Sequence, residues 1–318
     1  MTHSLSTLIQ QTYDNALKNG DLLFFEAEHA VKDSNGIKFE ITYAPTLAQK
    51  PHHESAGTDD NKKKAKINPF LPPHPALTVK DLEEHTVVLN KYCVVPHHAL
   101  IVTKEYKSQT QPLFPEDLAA TWKCMTTAYG YTPAMAFYNC GPYSGASQPH
   151  KHIQILPLLK EQPQPPIKAL YNQIQERKAG QIYVLDKLPF VHVMTPLDRS
   201  FIDSCSDNPE PLGDYLGQMF FGLLDAMFQQ MRKHAEPSRE TSYNFIMTND
   251  FMMMVPRSSE IANMNGLQVS INSLGFAGML LVRTQEELNT MQQYPDLLEL
   301  LAQVGFRWNP DAEPDVEQ

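Results

Sequence analysis

Apolar positions recur at two different periods along this chain. A helical period marks 4–18, where Leu5, Leu8, Tyr13, Ala16 and Leu17 share a face and Gly20 acts as a stop. The longest helical pattern is 211–234, with Leu212, Tyr215, Leu216, Met219, Phe220, Leu223, Met227 and Met231 on one face. A third helix is predicted over 115–129. Pro115 suits the first helical position, Glu116 and Asp117 suit the positive end of the dipole, and Leu118, Trp122, Met125 and Tyr129 form a face. Thr284-x-x-Glu287 has the form of a capping box and opens a closing helix.

Between the helices the pattern turns to strands. Leu22–Phe25 and the alternating Ile37–Tyr43 come first, with Asn35-Gly36 as a hairpin-turn signal. A hairpin is predicted from His85–Tyr92 and Val94–Thr103, then strands at Met135–Tyr138 and His150–Leu156 joined by a loop of small residues. Tyr243–Met247, Phe251–Val255 and Gly278–Val282 follow. The stretch 160–180 reads as a surface excursion. His52–Lys66, with almost nothing to bury, reads as a mobile loop. Strands ending in Val95-Pro96-His97 and in Pro256-Arg257 are each followed by a strand and a helix, an echo that hints at two related halves. The expectation is one α+β unit over residues 1–318, an antiparallel sheet flanked by helices.

Composition narrows the function. Of 318 residues, 42% are hydrophobic and 19% charged, as in a globular protein with a sizeable core. No run of about 20 apolar residues and no basic-then-apolar leader is present, so a cytoplasmic location and no membrane partner are expected. Cys93, Cys124, Cys140 and Cys205 form no C-x-x-C pair, which argues against a cysteine zinc knuckle. A net charge of −10 argues against a general nucleic-acid binder but not against a small anionic ligand, which needs only a local cluster of donors.

The chemistry concentrates in 137–156. On a strand, His150, His152 and Gln154 share a face, while Ile153 and Ile155 turn to the other. Upstream, Gly141, Ser144, Gly145, Ala146 and Ser147 carry little side-chain bulk, so backbone N–H groups can approach an anion. Three readings are open. The histidines are ordinary strand residues; or they are metal ligands, for which no third ligand stands at a recognisable spacing; or His152 is a nucleophile toward a phosphoanhydride. Only the third also explains the glycine-serine loop. His97, His98 and His192 read as structural, and Met252–Met254 as core.

The run Asn139-Cys-Gly-Pro-Tyr-Ser-Gly-Ala-Ser-Gln148 followed by His150-x-His152-x-Gln154 resembles the active-site strand of the histidine-triad superfamily. It is the variant, shared with galactose-1-phosphate uridylyltransferases, in which glutamine replaces the third histidine. Further stretches at 36–51, 89–105 and 271–282 are similar to the diadenosine tetraphosphate phosphorylases, or ATP adenylyltransferases. The resemblance implies phosphorolysis of diadenosine tetraphosphate to ATP and ADP through an adenylylated His152. It implies adenine dinucleotides, ATP, ADP and inorganic phosphate as partners. It further implies nucleotide and phosphate contacts at Lys50, Asn90, Lys91, Asn139, Gly145, Ala146, Ser147, Gln148, Asn272, Ser273, Leu274, Met279 and Arg283. Arg283 stands where lysine is common, and the insertion at 52–66 bears on where Lys50 falls. No cofactor held by protein ligands is expected; a divalent cation such as magnesium would arrive on the substrate's phosphates. A hydrolase or uridylyltransferase on the same strand, and a non-catalytic nucleotide sensor, are the rival readings.

Overall fold

Ser4 accepts a hydrogen bond from Thr7 N and opens helix α1 (Leu5–Asn19), which Gly20 closes in the left-handed conformation. The computed structural model describes residues 3–49, 68–158, 165–205, 208–234 and 241–308. Lys50 and the loop expected at 52–66 lie outside them.

The predicted first strand is only the pair β1 (Leu23–Phe24). The hairpin turn at Asn35-Gly36, both with positive φ, joins β2 (Glu28–Ser34) to β3 (Ile37–Tyr43). The sequence reading missed β2. Its composition, Glu-His-Ala-Val-Lys-Asp-Ser, is polar because it is the outer strand of a small three-stranded sheet. Next come β4 (Thr78–Asp81), β5 (His85–Leu89), β6 (Tyr92–Cys93, parallel to β1) and β7 (Ala99–Thr103). Helix α2 (Pro115–Thr127) precedes β8 (Ala134–Cys140) and β9 (His152–Pro157). The catalytic-strand candidate thus starts at His152, two residues later than predicted, and His150 makes only an isolated bridge with Ser108.

The predicted excursion at 160–180 is partly wrong. Residues 159–164 lie outside the described set, but Pro166–Tyr171 forms α3, with Ile167, Leu170 and Tyr171 buried in the core. Four apolar residues in six are enough to seat one short helix, although prolines and glutamines around it suggested a solvated path. Then follow β10 (Val193–Pro196), α4 (Arg199–Cys205), α5 (Pro209–His234), β11 (Tyr243–Met247) and β12 (Phe251–Pro256). The hairpin β13 (Ile261–Met264) and β14 (Leu267–Ser270), α6 (Ser273–Ala277), β15 (Met279–Val282), α7 (Gln285–Gln293) and α8 (Leu297–Ala302) complete the described chain. The Thr284–Glu287 capping box is present at α7.

An eight-stranded sheet runs β10-β12-β11-β8-β9-β7-β5-β4, with every neighbouring pair antiparallel. One face carries Ile101, Tyr138, Ile153, Phe245 and Met254 into a core under α1, α2 and α5. The other face is covered in two places. Phe137, Ile246, Met253 and Val255 pack under α3, α6, α8 and the β15-β3-β2 sheet, while Val88, Leu100 and Val102 pack against Phe70. Between these two apolar covers lies a polar row, and the candidate site is built there. The echoing segments take different places: Ala99–Thr103 is inside the large sheet, whereas Met279–Val282 pairs in parallel with β3 in the small one.

Candidate functional site

The polar row follows from register. Val102 faces His152, Leu100 and Phe137 face Gln154, and Asn139 faces Asn244 across β8 and β11. Side-chain alternation therefore puts His152, Gln154, Asn139 and Asn244 on the same face. The direct pairing of β8 with β9 stops at Phe137–Gln154. Beyond it the buried amide of Gln109 takes the place of a strand. Its Oε1 accepts from His152 N at 2.8 Å, and its Nε2 donates to Asn139 O (2.9 Å) and His152 O (3.2 Å). Gln109 holds the two strands apart where the polar groups emerge. Nothing in the motif Ser108-Gln-Thr-Gln-Pro112 marks this role, because it depends on where a distant loop lands.

The two histidines of the motif are fixed differently. His150 has both ring nitrogens engaged. Nε2 lies 2.8 Å from Thr103 O and 2.9 Å from Thr103 Oγ1, and Nδ1 lies 3.0 Å from Asn68 Nδ2. A carbonyl only accepts, so Nε2 carries the proton and Nδ1 accepts from the amide. His152 Nδ1 lies 2.8 Å from His150 O, so by the same logic Nδ1 is the protonated nitrogen and Nε2 keeps its lone pair. No hydrogen bond in the described chain occupies that Nε2. Burial pushes the His152 pKa down to about 4, so the ring is neutral at pH 7. Phe70 packs near both rings, with centroids at 5.7 and 5.4 Å.

His98, expected to be structural, sits against this group. Asn90 Nδ2 bonds to its Nδ1 at 3.1 Å, and its buried Nε2 makes no well-aligned hydrogen bond among the described residues. Burial lowers its pKa to about 4, with the Gln154 amide opposing and His152 adding to the shift. Asn90 is thereby joined to the site through His98. The neighbouring Lys91 is exposed and is paired with no carboxylate among the described residues; its Nζ lies 5.8 Å from the Tyr92 ring. His192 is a satisfied core histidine, held by Phe190 O and Leu185 N.

The small-residue loop stands beside Asn139. Gly141 and Gly145 both have positive φ, and a Cβ on Gly145 would lie 2.8 Å from Ile271 O. Glycine is thus required for the loop to approach the 271–272 backbone. The N–H groups of Gly145, Ala146, Ser147 and Gln148 donate to nothing among the described residues, and all four residues are partly or fully exposed. A run of free, adjacent N–H donors has the chemistry to hold an anion. Asn139 is buried, and its Oδ1 accepts from Asn244 Nδ2 (2.8 Å), Ser273 N (3.0 Å) and Ser273 Oγ (2.7 Å). Three donors fix the amide orientation, and Nδ2 makes no hydrogen bond among the described residues. Asn272 caps α6 through Leu274 N. Of the remaining predicted contacts, Leu274 and Met279 are half-buried at the edge of the second core. Arg283 is exposed at the end of β15, and its N–H donates to Glu287 Oε2 at 2.6 Å. Its strand pairs in parallel with β3.

Behind the strand lies a network the sequence did not disclose. Lys151, between the two histidines, points to the opposite face and is fully buried. Its Nζ donates to Asp117 Oδ2 at 2.6 Å, and Asp117 also accepts from His85 Nε2 (2.8 Å) and Phe114 N (2.9 Å). Burial drives the Asp117 carboxyl up, but these donors outweigh it and hold its pKa below the usual 3.8. Asp117 therefore anchors the strand that carries His152 as well as capping α2. Among the described residues, no three His, Cys, Asp or Glu side chains gather as metal ligands. No described helix is long and apolar enough to cross a membrane.

Comparison with known proteins identifies the family. Residues 1–173 match the family description Ap4A phosphorylase N-terminal domain, and residues 186–307 match ATP adenylyltransferase C-terminal domain. The β8–β11 pairing spans the two segments. The chain is 32% identical to diadenosine tetraphosphate phosphorylase 2 of Saccharomyces cerevisiae, over 95% of each chain. It is 29% identical to Protein APA1 of the same yeast, over 95% of this chain and 94% of the other. The crystal structure of yeast Ap4A phosphorylase Apa2 in complex with AMP superposes with a TM-score of 0.80 at 30% identity, covering 98% of this chain and 100% of that one. The Apa2 complex with Ap4A gives 0.77 at 28% identity, covering 96% and 99%. Matched along most of its length by both family descriptions and by a yeast phosphorylase at this level of identity, the chain belongs to the Ap4A phosphorylase family, the ATP adenylyltransferases.

Proposed function

We propose that this protein phosphorolyses diadenosine tetraphosphate to ATP and ADP, with His152 as the nucleophile. The observation that carries the reading is the contrast between the two histidines. His152 keeps one ring nitrogen free and unprotonated beside a loop of undonated N–H groups, whereas His150 has neither nitrogen free.

In the first step His152 Nε2 forms a bond to an adenosine-bearing phosphorus. The P–O bond to the remaining chain breaks, and ATP leaves with the electron pair. The ring is then an imidazolium whose Nδ1 keeps its proton and donates it in a hydrogen bond to His150 O, which offsets the new charge. In the second step an oxygen of inorganic phosphate attacks the same phosphorus, the N–P bond breaks, ADP forms and neutral His152 returns. The Gly145–Gln148 N–H groups and the Asn139 Nδ2 donate to phosphate oxygens throughout, and Lys91 offsets polyphosphate charge. The assigned residues include no carboxylate, so this reading leaves magnesium to the substrate's phosphates. It treats residues 1–318 as one functional unit.

The test is product analysis with and without phosphate. ATP and ADP formed only when phosphate is present support the reading. ATP and AMP formed at the same rate in either case make the enzyme a hydrolase instead. Tight binding without turnover makes it a sensor.

A further inference from the structure

Arg257 is 2% exposed, and among the described residues no carboxylate lies within ion-pair distance of it; Glu260 acts on it from farther away. A lone buried cation is costly, so its surroundings bear on its role. Its donors go to carbonyl oxygens. Nε reaches Val304 O (3.1 Å), Nη2 reaches Ser259 O (2.7 Å) and Glu260 O (3.4 Å), and Nη1 reaches Ile271 O (2.8 Å) and Ser144 O (3.4 Å). Nη1 also makes a short bond to Asn244 Oδ1.

Two of those carbonyls belong to the substrate cradle. In a trans peptide the C=O of one residue and the N–H of the next point in opposite directions. Ser144 O turned to Arg257 therefore turns Gly145 N–H away from it, toward the open side of the loop. Ile271 O turned to Arg257 does the same for Asn272 N–H. Neither N–H donates to anything among the described residues. The Asn244 contact extends the effect. A guanidinium only donates, so the Asn244 atom facing it is oxygen, and the other, Nδ2, donates to Ser144 O (2.9 Å) and Asn139 Oδ1 (2.8 Å). Ser273 N also requires oxygen at that Asn139 position. Both ends of the relay thus agree, and Asn139 Nδ2 is left for the site.

We propose that Arg257 is a positioning residue for the phosphate cradle: it orients the 144–145 and 271–272 peptides and the Asn139 amide toward the substrate's phosphates, and it places a permanent positive charge behind them. Burial lowers its pKa only to about 9, so the charge persists at pH 7. The sequence contains no sign of this, because Arg257 is one residue past a strand and reaches the loop only through the Ser144 carbonyl and Asn244, contacts that the fold decides.

The inference rests on the loop binding phosphate, and the experiment separates the two. Calorimetry with adenosine, AMP, ADP and ATP gives an affinity ladder in which each rung adds phosphate alone. In Arg257→Gln the ladder should flatten, with AMP binding weakened about tenfold, ATP about a hundredfold, and adenosine unchanged. Asn244→Asp is the second variant. It keeps the guanidinium, pairs its charge and reverses the relay, so it should flatten the ladder too, without leaving an unpaired buried cation. Arg257→Lys keeps the charge but not the fork, and should restore part of the ladder. Equal weakening for adenosine and ATP in the variants that fold means a merely structural role. An unchanged ladder in either variant also overturns the proposal. If the unaltered protein binds phosphate ligands no better than adenosine, the proposed function itself fails.

Discussion

Two buried cations stand on opposite sides of the same sheet, and their partners set them apart. Lys151 is matched by Asp117 within a network that also takes in His85, so its field is largely cancelled and its effect is mechanical. Arg257 meets carbonyls and an amide, so its charge remains and reaches the phosphate loop. A buried cation with a carboxylate holds a strand in place. One without a carboxylate polarises what is in front of it. The comparison can be broken at either pole.

The largest effect is expected at the matched pole. Asp117→Asn leaves Lys151 charged and unpaired in the core, and removing one partner of a buried pair costs about 3–5 kcal/mol of stability. Chemical denaturation should show that loss, while any protein that remains folded keeps the wild-type affinity ladder from adenosine to ATP. A flattened ladder in Asp117→Asn would erase the distinction between the two networks.

Next comes direct contact with substrate charge. Lys91 is exposed and has no acidic partner among the described residues, so Lys91→Ala should leave stability alone. It should reduce kcat/KM by one to two orders of magnitude, corresponding to a lost charge-assisted bond of about 1.5–3 kcal/mol. Unchanged steady-state kinetics would place Lys91 among the solvated lysines. Gly145→Ala should act on the cradle itself. Positive φ and the approach to Ile271 O impose roughly 1–3 kcal/mol of strain, which phosphate binding should report. Normal kinetics in that variant would mean that the loop does not carry the phosphate.

A separate effect, spread over several groups, is that of pH on stability. His98, His152 and His192 are held neutral by burial, with pKa values near 4 against the ordinary 6.5. Between those values the unfolded chain binds more protons than the folded one, so stability rises with pH across that window and falls on acidification. Asp117 works in the same direction at lower pH: its depressed pKa gives stability that is lost as pH drops below the usual carboxylate value. Denaturation midpoints at pH 7 and pH 5 check this. Equal midpoints would mean that these histidines are not buried as described.

The chain disclosed its fold where periodicity was strong. The long helix Pro209–His234, the strands around His152 and the capping box at Thr284 were legible because each follows from local spacing. The polar edge strand Glu28–Ser34 and the short helix Pro166–Tyr171 were not, since tertiary contacts rather than pattern decide them. At the site, the motif named the histidines and the glycine loop, but it could not say which histidine has a free nitrogen. That answer depends on Thr103, Asn68 and a carbonyl. Gln109, His98, Asn244 and Arg257 come from segments 11 to 159 positions away from one another, and no spacing rule joins them.

The central claim, that His152 and not His150 takes up the adenylyl group, has a direct measurement. The enzyme is mixed briefly with diadenosine tetraphosphate without phosphate, digested under alkaline conditions and read by mass spectrometry. The account predicts an acid-sensitive AMP adduct on His152, lost in His152→Asn and reduced but present in His150→Asn. An adduct on His150 alone, or none at any mixing time while phosphorolysis proceeds, would contradict it.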